Sequence, residues 1–245
     1  MLPELSRVLK SAARLKVLGI YSHFAESENM ASDYAQHQHQ RFESGLSALR
    51  TLPALASAQA HLANSAALLR SPGFHYDFAR VGYALWAPLD FDPPESAPAL
   101  NSKLRPVMRL VCPVSHVKIL SEGDTVGYSR TYRGQAGECI ATLPIGYGDG
   151  YPRALSNRGH VGIHGKLAPV VGNVSMDQTT ISLGVTPGIP ARVGDGVVLL
   201  GDPPREPGLA EVAHAAGTIG YQIMTGLNHR IPRVYLYEGK EFPAP

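Results

Sequence analysis

The sequence predicts an α/β unit followed by an all-β unit, and three observations carry that reading. The first hundred residues alternate apolar runs with helical patterns, a β-α-β-α rhythm that suits a parallel sheet or a (β/α) barrel. A proline-rich stretch, Asp92-Pro93-Pro94-Glu95-Ser96-Ala97-Pro98, then interrupts the rhythm as a linker would. Beyond it, short alternating runs separated by Gly, Pro and Asp turns predict a barrel or sandwich of strands. The predicted domains are therefore 1–98 and 99–245, and a chain of 245 residues is long enough for one large domain or two smaller ones.

Residues 2–14 predict an amphipathic helix with Leu2, Leu5, Leu9 and Ala12 or Ala13 on one face. Residues 16–23 predict a buried strand, followed by an acidic, Ser-containing loop. Residues 33–49 predict a helix that buries Tyr34, Phe42, Leu46 and Leu49. Ala60-His61-Leu62-Ala63 reads as a short strand ending at Asn64-Ser65, with a small helix over 66–69. Phe78-Ala79-Arg80-Val81-Gly82 reads as a further strand end. In the second unit, strands are expected at 107–111, 115–120, 138–142, 160–163, 170–171, 179–183 and 196–200. Asp202-Pro203-Pro204 closes that unit, short helices follow over 208–217 and 219–228, and residues 233–236 form a last strand.

Lys+Arg number 22 against 20 Asp+Glu, a net charge of +2 that gives no reason to expect nucleic acid or an anionic membrane as partner. No apolar run approaches the ~18 residues of a membrane span. Met1-Leu2-Pro3-Glu4-Leu5-Ser6-Arg7 lacks a signal-peptide pattern, so a cytoplasmic location is the expectation. Cys112 and Cys139 sit in apolar, β-like context and are expected to be buried free thiols. No Gly-x-Gly-x-x-Gly follows a strand and no Walker loop is present. No Cys/His cluster has zinc spacing, so no metal site is expected. His37 and His39, two apart on a predicted helix, point away from each other and read as surface residues.

In α/β sheets and barrels, chemistry gathers at the C-terminal ends of parallel strands. Three predicted ends carry polar groups: Ser22-His23-Phe24-Ala25-Glu26-Ser27-Glu28, Asn64-Ser65 after His61, and Arg80-Val81-Gly82-Tyr83. Asn64-Ser65 before Ala-Ala-Leu-Leu is a good helix N-cap, and the same geometry suits a phosphate. Arg80 reads as an oxyanion cradle, as a cation facing a barrel mouth, or as the partner of a surface carboxylate. His23 alone reads equally as a structural hydrogen-bonding group. Three successive polar ends predict a pocket for a phosphate-bearing ligand.

The second unit carries two glycine-rich turns, Ile145-Gly146-Tyr147-Gly148-Asp149-Gly150-Tyr151-Pro152-Arg153 and Gly172-Asn173-Val174-Ser175-Met176-Asp177-Gln178. Three glycines in five residues exclude a strand or helix interior, because each loses too much backbone entropy there. Tyr147 on such a turn is exposed, aimed and available as a proton carrier. The turn by itself also reads as a glycine-rich hairpin whose Tyr packs on a strand.

Taken together and in order, His23-Phe24-Ala25, His61-x-Ala63-Asn64-Ser65-Ala66-Ala67, Arg80-x-Gly82, Pro144 to Gly150, Gly172-x-x-x-Met176-Asp177-Gln178, and Tyr221 through Arg230-Ile231-Pro232-Arg233 resemble the pyridoxal-phosphate-dependent alanine racemases. The resemblance runs from about Leu15 to Tyr235. It implies the C-terminal half of a (β/α)8 barrel followed by a β domain, a head-to-tail homodimer, and pyridoxal 5'-phosphate in the barrel mouth. It implies that Asn64, Ser65, the backbone at Gly82 and Tyr83, and the Tyr221 hydroxyl bind the cofactor, chiefly its phosphate. It places Arg80 against the pyridine nitrogen, with His23 orienting Arg80. It makes Tyr147 one of two acid–base groups, acting on the L-alanine face in the other subunit's site, with Met176 and Asp177 at the substrate carboxylate. Asn173 departs from the family, which often has an arginine there opposite an acidic residue matching Glu28.

Family members also carry a lysine just before Ala-Asp-Ala-Tyr-Gly-His-Gly, which anchors the cofactor covalently and is the second base. None of Lys10, Lys16, Lys103, Lys118, Lys166 and Lys240 stands in that context, and Lys16 begins its predicted strand instead of ending it. The chain therefore resembles the last two-thirds of a racemase, with roughly four of eight barrel strands lacking. The expected function is interconversion of L- and D-alanine, with this polypeptide alone inactive. The open strand edges of a half barrel predict dependence on a partner or poor solubility. Two alternatives remain: one subunit of a split racemase completed by an N-terminal fragment, or a non-catalytic remnant that binds the cofactor or a partner.

Overall fold

The structure is a computed structural model that describes residues 2–12, 14–185 and 188–242. The chain divides into two compact units, Met1–Val107 and Met108–Pro245. The proline-rich stretch is part of the first unit, where it winds into a turn at Pro94–Ser96 and a short helix, Ala97–Leu100. It is tied there because the Met30 N–H donates to Asp92 O at 2.5 Å and the Asp92 N–H to Glu28 O at 3.1 Å.

In chain order the first unit contains α1 (Leu2–Ser11), β1 (Gly19–Tyr21), α2 (Tyr34–Arg50), β2 (Gln59–His61), α3 (Ser65–Arg70) and α4 (Ala97–Leu100). β1 and β2 pair in parallel, Gly19 opposite Gln59 and Tyr21 opposite His61, with α2 in the crossover. Their packed core is Phe24, Ala35, Leu62, Ala63, Ala67 and Phe74, with Phe42, Tyr76 and Ala79 against it.

Several sequence expectations are corrected here. The helix expected over 2–14 ends at Ser11, none of its residues is buried, and Ala13 lies outside the described residues. β1 is shorter than 16–23 and is not a buried strand, because no strand pairs with its outer edge among the described residues. Leu18 and Tyr21 are each 68% exposed. On α2, Tyr34 is exposed and Ala35 is buried in its place. The inward stripe is Ala35, His39, Phe42, Leu46 and Leu49, spaced by fours and threes. His39 is thus no surface residue: its ring lies 5.1 Å from Phe74 and 5.6 Å from Tyr76. Residues 78–82 form no strand. That segment instead clings to the end of β2, with the N–H groups of Asp77 and Arg80 donating to Ala60 O (3.0 Å) and Ala63 O (2.9 Å).

The second unit contains β3 (Leu110–Pro113), β4 (His116–Ile119), β5 (Thr125–Val126), β6 (Tyr132–Arg133), β7 (Glu138–Leu143), β8 (His160–Ile163), β9 (Lys166–Pro169), β10 (Thr179–Val185) and β11 (Gly196–Leu200). Helices α5 (Leu209–Ala215) and α6 (Gly220–Gly226) and the ribbon β12 (Tyr235–Tyr237) with β13 (Lys240–Phe242) complete it. One sheet has the order β10-β7-β4 and another β3-β11-β8-β9, all antiparallel. Leu143, Val161, Ile163, Ile181, Leu183, Val197 and Leu199 are fully buried on their inner faces. The strand expected at 170–171 is a single bridge, Val170 to Ile181. The strand itself lies earlier, at β9, because His164 and Gly165 (φ +49° and +73°) close a two-residue hairpin between β8 and β9. Cys112 and Cys139 are free thiols but only half-buried.

One buried charge is built into this unit. Glu138 on β7 is 3% exposed. Its carboxylate accepts from Tyr132 Oη at 2.7 Å, from the Gln135 N–H at 3.0 Å and from Ser182 Oγ on β10. Burial raises its pKa, but the bonds from Ser182, Gln135 and Tyr132 together outweigh it, and the carboxyl titrates below its usual 4.5. Above 4.5 its contribution to stability is complete, and it is lost as pH falls through the lower folded-state value. Glu138→Ala leaves buried donors without an acceptor and should cost roughly 3 kcal/mol. Urea unfolding at neutral pH and below pH 4 measures both effects: wild type should lose stability on acidification, and the mutant should lose less.

Candidate active site

Within the first unit, the polar groups predicted at strand ends assemble around Arg80. The parallel register sets Tyr21 beside His61, so Ser22-His23 and His61-Leu62 leave adjacent strands side by side. Arg80 Nη1 meets His61 Nδ1 at 2.7 Å and donates to His61 O at 3.1 Å. Its Nη2 donates to Ser22 O at 2.7 Å, meets His23 Nδ1 at 3.1 Å and reaches Leu62 O at 3.4 Å. An arginine has no acceptor, so both imidazoles must present an unprotonated Nδ1. Among the described residues Arg80 makes no ion pair, and its Nε–H has no acceptor. Tyr21 forms the floor: its ring stacks on His61 at 5.1 Å and lies 5.3 Å from the guanidinium carbon. Burial, and then the Arg80 charge, hold the His61 pKa below 6.5.

Asn64 caps α3, accepting the Ala67 N–H at 2.9 Å, and the same oxygen takes Ser27 Oγ at 2.8 Å. Arg70 fastens the loop after β1 through Asn29 O (2.7 Å) and Ser32 O (2.9 Å). Ser65 is buried, and its Oγ accepts the N–H groups of Gly82 (3.0 Å) and Ala84 (3.3 Å). A hydroxyl and two backbone N–H groups therefore converge, with Tyr83 buried between them. A Cβ added to Gly82 would meet nothing within 4 Å, so the cradle opens on that side.

In the second unit, β7 and β10 are antiparallel neighbours, Leu143 opposite Thr179. The turn after β7 therefore lies beside the turn before β10, and the two glycine-rich motifs meet. The Tyr147 N–H donates to Ser175 O at 3.0 Å and the Gly148 N–H to Met176 O at 2.9 Å. Glycine is required by proximity: a Cβ on Gly146 would fall 2.1 Å from Ser175 O, and one on Gly150 would fall 2.1 Å from Gly226 O. Tyr147 is 44% exposed and Met176 54%. Asp177 is exposed, and its Oδ1 takes Arg230 Nη2 at 3.3 Å. Beneath the turn, burial pushes the Cys112 thiol up to about 12, with Asp149 adding to the shift. Tyr221 sits exposed on α6.

The structure thus brings His23 to Arg80, Ser65 to Gly82, and Tyr147 to Met176 and Asp177. Sequence reasoning quoted His61 and Arg230 within motifs but gave them no role, and it passed over Tyr21. For the first and last, the signal was the strand pairing, which puts a ring from each neighbouring strand end at the same level.

An α/β unit with polar strand ends, followed by a β unit presenting a tyrosine on a glycine turn, defines a two-unit α/β-plus-β architecture. The chain belongs to the alanine racemase family: residues 107–235 match the alanine racemase C-terminal domain and residues 1–89 the alanine racemase N-terminal domain. It is 40% identical over 236 residues to an alanine racemase of Symbiobacterium thermophilum, covering 95% of this chain and 61% of that protein. Alanine racemase 2 of Bacillus subtilis is 38% identical over 242 residues, with 98% and 60% covered. The alanine racemase structure from Streptomyces lavendulae superposes with a TM-score of 0.86 at 33% identity, covering 96% of this chain and 61% of that one. The Bartonella henselae structure, with covalently bound pyridoxal phosphate, superposes with a TM-score of 0.81 at 30% identity, covering 96% and 61%. The chain spans about three-fifths of the length of the curated relatives it matches. Among the described residues no helix is long and apolar enough to cross a membrane.

His61 reports on the Arg80 cluster. Its NMR titration midpoint should lie below 6.5 and rise toward 6.5 in Arg80→Gln. Because the unfolded state takes up this proton at higher pH, His61 withdraws stability as pH falls from 6.5 through its folded midpoint.

Proposed function

We propose that this chain supplies the cofactor cradle and one acid–base group of a pyridoxal-phosphate-dependent alanine racemase. The observation that carries the reading is Arg80, a cation fixed by two imidazoles and three carbonyls and, among the described residues, without an ion-pair partner. Such a site suits a ligand that accepts a hydrogen bond from Nε, and the nearby hydroxyl and N–H groups have the chemistry of a phosphate cradle. The non-covalent half of the site therefore fits pyridoxal 5'-phosphate. Bound there, the cofactor supplies an electron sink for a carbanion at the substrate Cα.

Ser65 and the backbone at Gly82 and Tyr83 would hold the phosphate; the Tyr221 hydroxyl, in the second unit, has that role only by the family resemblance. Asn64 supports them by capping α3 and fastening Ser27. Arg80 would donate to the pyridine nitrogen and, because guanidinium does not give up its proton, keep that nitrogen unprotonated. His23 and His61 hold the guanidinium in its plane. Tyr147 would carry the proton at the substrate Cα on the L-alanine face, in the site of a second copy in a homodimer. The Asp177 carboxylate is engaged by Arg230, so the Met176–Asp177 backbone is the better match for the substrate carboxylate. The covalent anchor and second base come from none of the six lysines. A lysine-bearing barrel segment, pairing with the open edge of β1, would complete the site in the cytoplasm.

Pyridoxal phosphate binding to the 245-residue chain, followed by equilibrium dialysis, should weaken at least tenfold in Ser65→Ala and in Arg80→Ala. Added L-alanine should give no D-alanine until a lysine-bearing barrel segment from a relative is joined or supplied. Tyr147→Phe should then lower the restored rate by about 10²–10⁴. Robust racemisation by the 245 residues alone would sink the incomplete-site reading, and cofactor binding indifferent to Ser65 and Arg80 would sink the cradle.

A further inference from the structure

We propose that Arg230 is a positioning residue that fixes the backbone of the Tyr147 turn against the Met176–Asp177 turn, and so sets where the tyrosine hydroxyl is presented. The proposal rests on the reading of Tyr147 as an acid–base group. Arg230 Nε donates to Asp149 Oδ1 at 2.7 Å and Nη2 to Asp177 Oδ1 at 3.3 Å, so one side chain holds a carboxylate from each motif. Asp149 closes the tyrosine turn on itself, its Oδ2 accepting the Gly146 N–H at 2.9 Å. Arg230 therefore binds the free oxygen of the group that shapes that turn.

The loop that carries Arg230 is itself braced. Its own N–H donates to Asn228 Oδ1 at 3.0 Å, and Arg233 Nη1 donates to Asn228 O (2.6 Å) and Ile231 O (2.7 Å). Asn228 adds two bonds to the turn, its N–H to Asp149 O at 2.9 Å and its Nδ2 to Gly148 O at 3.2 Å. Position 148 completes the fit: a Cβ there would sit 2.9 Å from Arg230 Nη2 and 3.0 Å from Met176 O. A glycine at 148 leaves the guanidinium its slot between the motifs.

Exposed ion pairs contribute little to global stability, and the Arg230 side chain is 49% exposed. A clamp of this kind acts on local geometry more than on folding, which separates it from a structural role. Amide exchange by NMR on the 245-residue chain tests it without any racemisation. In Arg230→Gln the Tyr147, Gly148 and Asn228 amides should exchange at least about tenfold faster, while β7 and β10 amides keep their wild-type rates. Arg230→Lys should recover part of the protection, and Gly148→Ala, which displaces the guanidinium without removing its charge, should reproduce the loss. Turn amides within twofold of wild type in Arg230→Gln, or an equal rise through β7 and β10, overturn the proposal. In protein completed with a lysine-bearing segment, Arg230→Gln should lower kcat at least tenfold with the KM for alanine within about twofold, and an unchanged kcat also overturns it. Activity retained in Tyr147→Phe would remove the functional reading of the tyrosine alone, with the exchange rates still deciding the clamp.

Discussion

The first unit's site depends on one planar cation. Arg80 comes from a segment with no regular structure, yet its two terminal nitrogens find acceptors from both strand ends. A lysine could not replace it, since a single ammonium cannot span two imidazoles and three carbonyls in one plane. Among the described residues Arg80 has no carboxylate partner, and that also matters. A carboxylate would neutralise the charge and occupy the direction a ligand needs, whereas imidazoles and carbonyls orient the guanidinium and leave its charge intact. The cost is visible on His61, whose protonation burial and Arg80 together oppose.

The second unit solves a different problem with backbone. Its tyrosine turn must approach the neighbouring turn and the end of α6 so closely that side chains at 146 and 150 would collide with carbonyl oxygens of Ser175 and Gly226. Glycine permits that approach, and the approach lets N–H groups from one motif satisfy carbonyls of the other. Tyr147 is thus exposed at its ring and fixed at its backbone, a combination that suits a group meant to meet a ligand at a set place. Buried Tyr151, two residues beyond Asp149, roots the turn in the core.

Much of this was legible in the sequence. The strands at 160–163 and 196–200 match their expected bounds residue for residue, because both are buried on both faces after their first residue and so read as short apolar runs bounded by turn residues. The motifs at 23, 64–65, 80–82, 147 and 176–177 were readable as polar residues beside glycines or strand ends. What was not legible depends on pairing between segments distant in sequence. Nothing local says that Tyr21 stacks on His61, or that Arg230 reaches back 81 residues to Asp149. The helical stripe on α2 was misread because alanine at 35 carries a weak hydrophobic signal and tyrosine at 34 a strong one, although spacing puts the alanine inside. Residues 78–82 looked like a strand from their apolar content, but their hydrogen bonds go to carbonyls at and beyond the end of β2.

β1 shows how one short strand serves two purposes. Its inner edge, paired with β2, fixes the register that aligns Tyr21, His61 and the acceptors of Arg80. Among the described residues no strand pairs with its outer edge, next to exposed Leu18 and Tyr21, which is the condition under which a strand recruits another. These two edges are coupled through Tyr21, whose ring is both the floor under the guanidinium and two-thirds open to water. A strand laid along the outer edge would exclude that water, lower the local dielectric and strengthen each bond to Arg80. The order of the Arg80 cluster and the covering of the β1 edge are therefore one thermodynamic question: whatever pairs with that edge also tightens the bonds to Arg80.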